Sequence, residues 1–155
     1  MGKKQRTEEH PILPLRNTVL FPQQIIPIYV GREQSLELVE SLKESKNKHI
    51  VVVAQRDSSV EVPDIKDLYK WGTLANIMKV FDMPDGSKSA IVQGLERVKI
   101  ESKVESESYL VAMVNRNLEI FEYGDELDTM TASLHAIFRK LIDIAPYLSD
   151  EQADI

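Results

Sequence analysis

An α+β, barrel-like domain is predicted by three observations on this 155-residue sequence. The apolar stretch LPLRNTVLFPQQIIPIYVGRE, residues 13–33, is cut by Pro14, Pro22 and Pro27 into pieces of strand length. Proline donates no amide hydrogen, so it suits strand starts, edges and bulges. After Arg32 the apolar period becomes helical for one short segment. Beyond it, Pro84-Asp85-Gly86-Ser87 separates two alternating segments, and Asp-Gly in that setting is the strongest short hairpin signal. One early helix among hairpins gives that class.

Taken in order, residues 12–15 and 25–30 read as short strands, with residues 17–24 a loop broken by Pro22 and Gly31 a stop. Leu36, Val39 and Leu42, with Leu38 beside them, mark a helix face that ends near residues 45–47. HIVVVAQR, residues 49–56, is a continuous β-branched run of the kind buried on both faces. Residues 57–63 form a polar loop, and residues 64–70 one helical turn ended by Gly72. Residues 73–83 form a long strand with Ala75, Ile77, Lys79, Phe81 and Met83 on one face and Leu74, Asn76, Met78, Val80 and Asp82 on the other. Residues 88–93 return from the hairpin, Gly94 bends the chain, and residues 96–104 and 109–115 complete a meander. Leu127, Met130, Leu134, Ile137, Leu141, Ile144 and Leu148 are spaced alternately three and four, a heptad-like helical seam that Pro146 ends or kinks. Ser149 and Gln152 then form a capping-box pattern announcing a further helix, which suggests a chain that continues past Ile155.

Composition narrows the function. The formal charge is -6, and residues 101–155 carry four Lys/Arg against twelve acids, which opposes a nucleic-acid face. No cysteine is present, so thiolate metal sites and thiol nucleophiles are excluded. No run approaches the roughly 18 apolar residues of a membrane span. Residues 1–9 read as a charged flexible tail without a signal-peptide core, and Arg6 stands where a myristoylation motif wants Ser or Thr, so a cytoplasmic protein is expected.

Catalytic constellations are missing. His10, His49 and His135 fall in the tail, at a strand start and in the last helix, with no metal-ligand spacing. There is no phosphate-cradling glycine motif and no nucleophile elbow. The pairs Asp64/Asp67 and Asp82/Asp85 suit capping or solvated roles. What remains is an apolar surface: Phe21 and Pro22 in the first loop, Phe81 and Met83 beside the hairpin tip. If these four meet, they form a contiguous docking patch. The alternative is that Phe21 plugs the end of the barrel.

Four collinear blocks carry a family resemblance. LPLRNTVLFPQQIIPIYVGRE, VVVAQRD, DLYKWGTLANI and MPDGSKSAIVQGLERVKI resemble the N-terminal substrate-binding domain of ATP-dependent Lon protease, over about residues 10–118. The resemblance implies a PUA-like β pseudo-barrel with one inserted helix, followed over residues 119–155 by a helical extension. It implies a non-catalytic substrate-recognition and assembly domain for unfolded or damaged proteins, placed in a hexameric parent ahead of an ATPase and a Ser-Lys protease domain. ATP and Mg would belong to that parent, and no cofactor to this segment. Arg16, Pro22, Gly31, Arg32 and Glu33 match the family motif, without an assigned role. The competing expectation is a stand-alone adaptor or regulator with one dedicated protein partner. RNA binding, known for PUA-like folds elsewhere, is opposed by the charge balance.

Overall fold

Six strands join into one mixed sheet: β1 (Arg6–Leu15), β2 (Ile25–Val30), β3 (His49–Ala54), β4 (Trp71–Asp82), β5 (Lys88–Val104) and β6 (Val111–Arg116). The order is β2-β5-β4-β3-β1-β6, and β6 also pairs with β5. The pairings β5-β4-β3-β1-β6-β5 therefore form a ring, with β2 added on β5. Helix α1 (Glu33–Lys43) lies between β2 and β3 in the chain, a single 3-10 turn (Ile65–Asp67) precedes β4, and α2 (Asp125–Ile144) follows β6. This is a computed structural model, and it describes residues 6–116 and 124–145. The chain divides into two compact units, Met1–Leu118 and Glu119–Ile155.

Strand β3 shows why a continuous β-branched run is required. Ile50 and Val52 belong to one buried cluster, with Leu13, Leu15, Leu38, Val39 and Val92. Val51 and Val53 point the other way into a second cluster, with Ile12, Leu74, Val98 and Val114. A strand buried on both faces has no polar alternation to show. Helix α1 covers the first cluster with Leu38 and Val39, and Leu36 and Leu42 pack at its margin.

Pro14 and Pro27 occupy positions with one strand neighbour, while Pro22 lies in the loop between β1 and β2. Pro27 lies on β2, which pairs only with β5. Pro14 pairs with Val53 of β3, beyond the stretch Arg6–Pro11 that pairs with β6. Neither position asks proline for a ladder bond on both sides.

Several boundaries differ from expectation. Residues 6–9, read as flexible tail, are strand: Arg6 pairs with Arg116 and His10 with Ala112. The charged sequence hides this because the extra residues form the outer rim of the ring. Residues 88–104 form one strand rather than two, because Gly94 stays within the ladder opposite Ala75 and the irregularity is a bulge at Leu74/Ala75. A second bulge at Met78 shifts the β4 register between Ile77 and Lys79. An extra residue reverses the side-chain alternation. Val80 therefore packs against the core and Phe81 faces out, whereas the sequence placed Phe81 on the face of Ile77. Helix α1 stops at Lys43, slightly early. In α2, Leu127, Met130, Leu134, Ile137, Leu141 and Ile144 are all exposed. The capping-box pattern at Ser149 lies outside the described residues.

The β1–β6 seam carries a small ionic network. Arg116 donates to both Glu8 carboxylate oxygens, at 3.1 and 3.2 Å, and pairs with Glu96 of β5. Buried His10 lies 2.9 Å from Glu8 through Nε2. The His10 hydrogen bond, and then Arg116, hold the Glu8 carboxyl below its usual range, against burial. A lowered carboxyl contributes stability that is complete above the unfolded value and lost as pH falls through the folded one. Glu8→Gln is thus expected to flatten the fall in melting temperature below about pH 4, read by thermal melts across an acid series. An unchanged acid slope would show that the seam takes no part in acid unfolding.

Candidate functional site

The site is built from the loop between β1 and β2. Leu20 is buried and anchors the loop in the first cluster. Buried Thr73 of β4 donates through Oγ1 to the Leu20 carbonyl at 2.6 Å. Gln23 N–H donates to the Gly94 carbonyl at 2.9 Å, and Gly94 N–H to Gln24 at 2.8 Å. The turn closes on itself, with Gln24 N–H donating to the Phe21 carbonyl, and Gln23 adopts a left-handed φ of 67°. Gly94 permits this approach: a Cβ there would lie 2.3 Å from the Phe21 carbonyl oxygen. The loop is fixed to β4 and β5 while the side chains of Val19 and Phe21 stay in water. Phe21 is 60% exposed.

Beside that loop lies an open groove of about 660 Å³. It is lined by Val19, Phe21 and Pro22 of the loop, by Tyr69, Trp71 and Arg97, and by the β3 segment Val52–Ala54. Trp71 is 38% exposed, with the Arg97 guanidinium 4.3 Å from its ring centre. Arg56 lies 5.6 Å from the Tyr69 ring and donates through Nε to the Leu68 carbonyl at 3.0 Å. Tyr69 and Trp71 thus each carry a cation, an arrangement that holds rings still while leaving an edge or face for a ligand. The lining holds no carboxylate but includes Arg56, Lys70 and Arg97. Chemically the groove suits extended apolar or aromatic chain with neutral or acidic neighbours.

Of the residues singled out in the sequence, Phe21 and Pro22 line this groove, and Phe81 and Met83 do not. The expected four-residue patch is split. The loop crosses the side of β5 toward which a Gly94 side chain would point, the buried side. Phe81 sits opposite Ser89, on the outward face shared with Tyr29, and Met83 follows at the hairpin. Both are exposed, at 42% and 43%, with Lys79 Nζ 4.9 Å from the Phe81 ring centre. Phe21 does not plug the ring; Leu20 is the buried neighbour.

Tyr69, Trp71 and Arg97 were missed, although a signal existed. A hairpin counted outward from a three-residue Pro84-Asp85-Gly86 turn, as in the Asp82–Lys88 pair, sets Thr73 against Arg97, which places Trp71 diagonal to Arg97. Three of the four paired acids cap turns, while exposed Asp82 pairs with Lys88. The Asp64 side chain accepts from Ile65 N–H and that of Asp67 from Asp64 N–H, while Asp85 accepts from Ser87. The motif residues Arg16, Gly31 and Arg32 line a separate cavity, and Glu33 opens the first turn of α1 in solvent. Among the described residues no group of three or more His, Asp or Glu is arranged to hold a metal, and no helix is long and apolar enough to cross a membrane.

The described residues thus form a ring-shaped mixed sheet that carries an exposed aromatic groove. A family model described as the "ATP-dependent protease La (LON) substrate-binding domain" matches residues 9–154, and the chain belongs to that family. Lon protease of Koribacter versatilis (strain Ellin345) is 39% identical over 146 residues, which is 94% of this chain and 18% of the relative. Lon protease of Porphyromonas gingivalis (strain ATCC 33277) is 46% identical over 140 residues, 88% of this chain and 16% of the relative. The chain therefore spans less than a fifth of the length of these relatives. Among solved structures, the N-terminal domain of Mycobacterium avium complex Lon protease aligns with TM-score 0.65 and 18% identity, covering 92% of this chain and 77% of that one. The Lon N-terminal domain protein from Xanthomonas campestris aligns with TM-score 0.61 and 19% identity, over 84% and 73%. At those identities the two structures support the fold.

Proposed function

We propose that this chain is the client-recognition module of an ATP-dependent Lon-type protease, and that the groove beside Phe21 receives exposed apolar segments of unfolded or damaged proteins. The observation that carries the reading is a loop immobilised by Leu20, Thr73 and Gly94 that nonetheless leaves Phe21 in water beside Trp71. A pre-ordered apolar surface loses little conformational entropy on binding. In this reading the ring is the PUA-like pseudo-barrel of the family, and Phe81 and Met83 form a secondary contact. ATP and Mg, the Ser-Lys dyad and hexamer formation belong to the parent polypeptide, and the cytoplasm supplies the clients.

Trp71 is the sole tryptophan, so its emission reports on the groove directly. Titration with a reduced, carboxymethylated protein that cannot fold is expected to shift that emission saturably. Phe21→Ser combined with Tyr69→Ser is expected to weaken binding by about tenfold or more, since buried aromatic anchors dominate such contacts. Phe81→Ser should change it far less. Equal binding by the double variant and the parent chain would refute the groove. Binding of one partner and no unfolded proteins would favour a dedicated adaptor.

A further inference from the structure

Outside the groove, two arginines share a second cavity, of about 410 Å³. Arg16 follows the last residue of β1, and Arg32 is the N-cap residue of α1. Their surroundings give them too few acceptors. Arg16 donates through Nη2 to Glu61 at 3.1 Å, while its Nε is buried without a partner. Nη1 of Arg32 is likewise buried and unpartnered. Burial first, and the adjacent Arg16 charge second, pull the Arg32 guanidinium down from its ordinary range, with Glu61 opposing them. An Arg side chain at the N-cap accepts nothing from the first turn of α1, so the helix end adds positive potential.

Glu61 is the one carboxylate lining this cavity, and it arrives from the polar loop after β3. Gln55 holds that loop by donating to the carbonyls of Asp57 and Val60, at 3.1 and 3.0 Å. The Glu61 side chain itself is 82% exposed, so its single bond to Arg16 is open to competition from solvent and ligands. Two guanidinium groups and one carboxylate leave a single positive charge. One further carboxylate neutralises the set, whereas a phosphate dianion would overshoot it and face Glu61.

We infer that Arg16 and Arg32 form a binding site for a single carboxylate of a polypeptide, with Glu61 as its weakly held in-chain occupant. The guanidinium fork matches a planar carboxylate and supplies several donors at fixed spacing. The carboxylate comes from an acidic side chain or from a chain terminus. That the donor is a polypeptide rests on the client-recognition reading, but the chemistry of the arginine pair does not.

The test uses the 155-residue chain labelled with nitrogen-15, following the Arg Nε–H resonances of Arg16 and Arg32 alongside Trp71 emission. Four probes separate the sources: an N-acetylated tetrapeptide amide containing one Glu, its Gln counterpart, that Gln peptide with a free C-terminal carboxylate, and inorganic phosphate. At least one carboxylate peptide is expected to shift both arginine resonances saturably, and the Gln amide to leave them in place. Glu61→Gln, at an exposed position, is expected to tighten that binding by about two- to fivefold, the range for losing one exposed ion-pair competitor. Arg16→Gln is expected to abolish the Arg32 shift, with the unchanged amide spectrum elsewhere reporting the fold. Failure of both carboxylate peptides on the parent chain and on Glu61→Gln overturns the site, as does a response to phosphate alone. Because Trp71 reads the groove independently, its response to an unfolded protein survives if only the arginine site is wrong.

Discussion

Gly94→Val is expected to remove binding at the groove and to destabilise the ring domain by about 1–3 kcal/mol, the usual cost of forcing atoms into packed structure. A Cβ at Gly94 meets the Phe21 carbonyl oxygen at 2.3 Å and the Pro22 Cα at 3.3 Å. Both are main-chain atoms, so no rotamer change relieves the clash. The loop must lift, which breaks its paired hydrogen bonds with Gly94 and carries Phe21 away from Trp71. Gly86 provides the contrast. It sits at φ 86° in the hairpin turn with nothing within 4 Å of a added Cβ. Gly86→Ala should therefore cost about 1 kcal/mol of backbone strain and leave Trp71 emission unchanged. Urea titration followed by Trp71 emission distinguishes the two, and a native Trp71 signal in Gly94→Val would show that the loop does not depend on this contact.

Ile50→Ala is expected to lower stability by about 2–5 kcal/mol, the range for truncating a buried aliphatic side chain. Ile50 is fully buried in the first cluster, and its neighbours Val51 and Val53 hold the second. Because β3 lies between the clusters, loosening it should release both together. Amide exchange in β1 and β6 should accelerate along with that in α1, and the ring should still unfold in one transition. Loss of protection confined to α1 would mean that the clusters are independent.

The strand pattern was legible wherever a local rule operated without competition. Asp85-Gly86 set the hairpin, the Val51–Val53 run marked a strand buried on both sides, and the change of period after Arg32 marked α1. The failures have physical causes. Alternation cannot announce a bulge, so Met78 reversed the assignment of Phe81. The extra residue in β4 is balanced by one in β5, which is why Thr73 meets Arg97 in the same register as Asp82 meets Lys88. The charged rim of β1 looked like tail because its partner, β6, is contributed from far along the chain. At the site, Phe21 and Pro22 were visible as apolar residues in a loop. Tyr69 was absorbed into a helical turn and Trp71 fell between that turn and the next strand, and the cations that sit on their rings come from residues 56 and 97.

The pairing of Arg6 with Arg116 has a consequence for the order of events during synthesis. The first strand leaves the ribosome early, yet its partner along the seam is not translated until the sixth strand emerges. Until then β1 has only β3 to lie against, and the ring stays open with its second cluster incomplete. Contacts between such distant residues form slowly. A nascent chain stalled before residue 111 should accordingly remain sensitive to protease, and one long enough to expose residue 116 should become resistant.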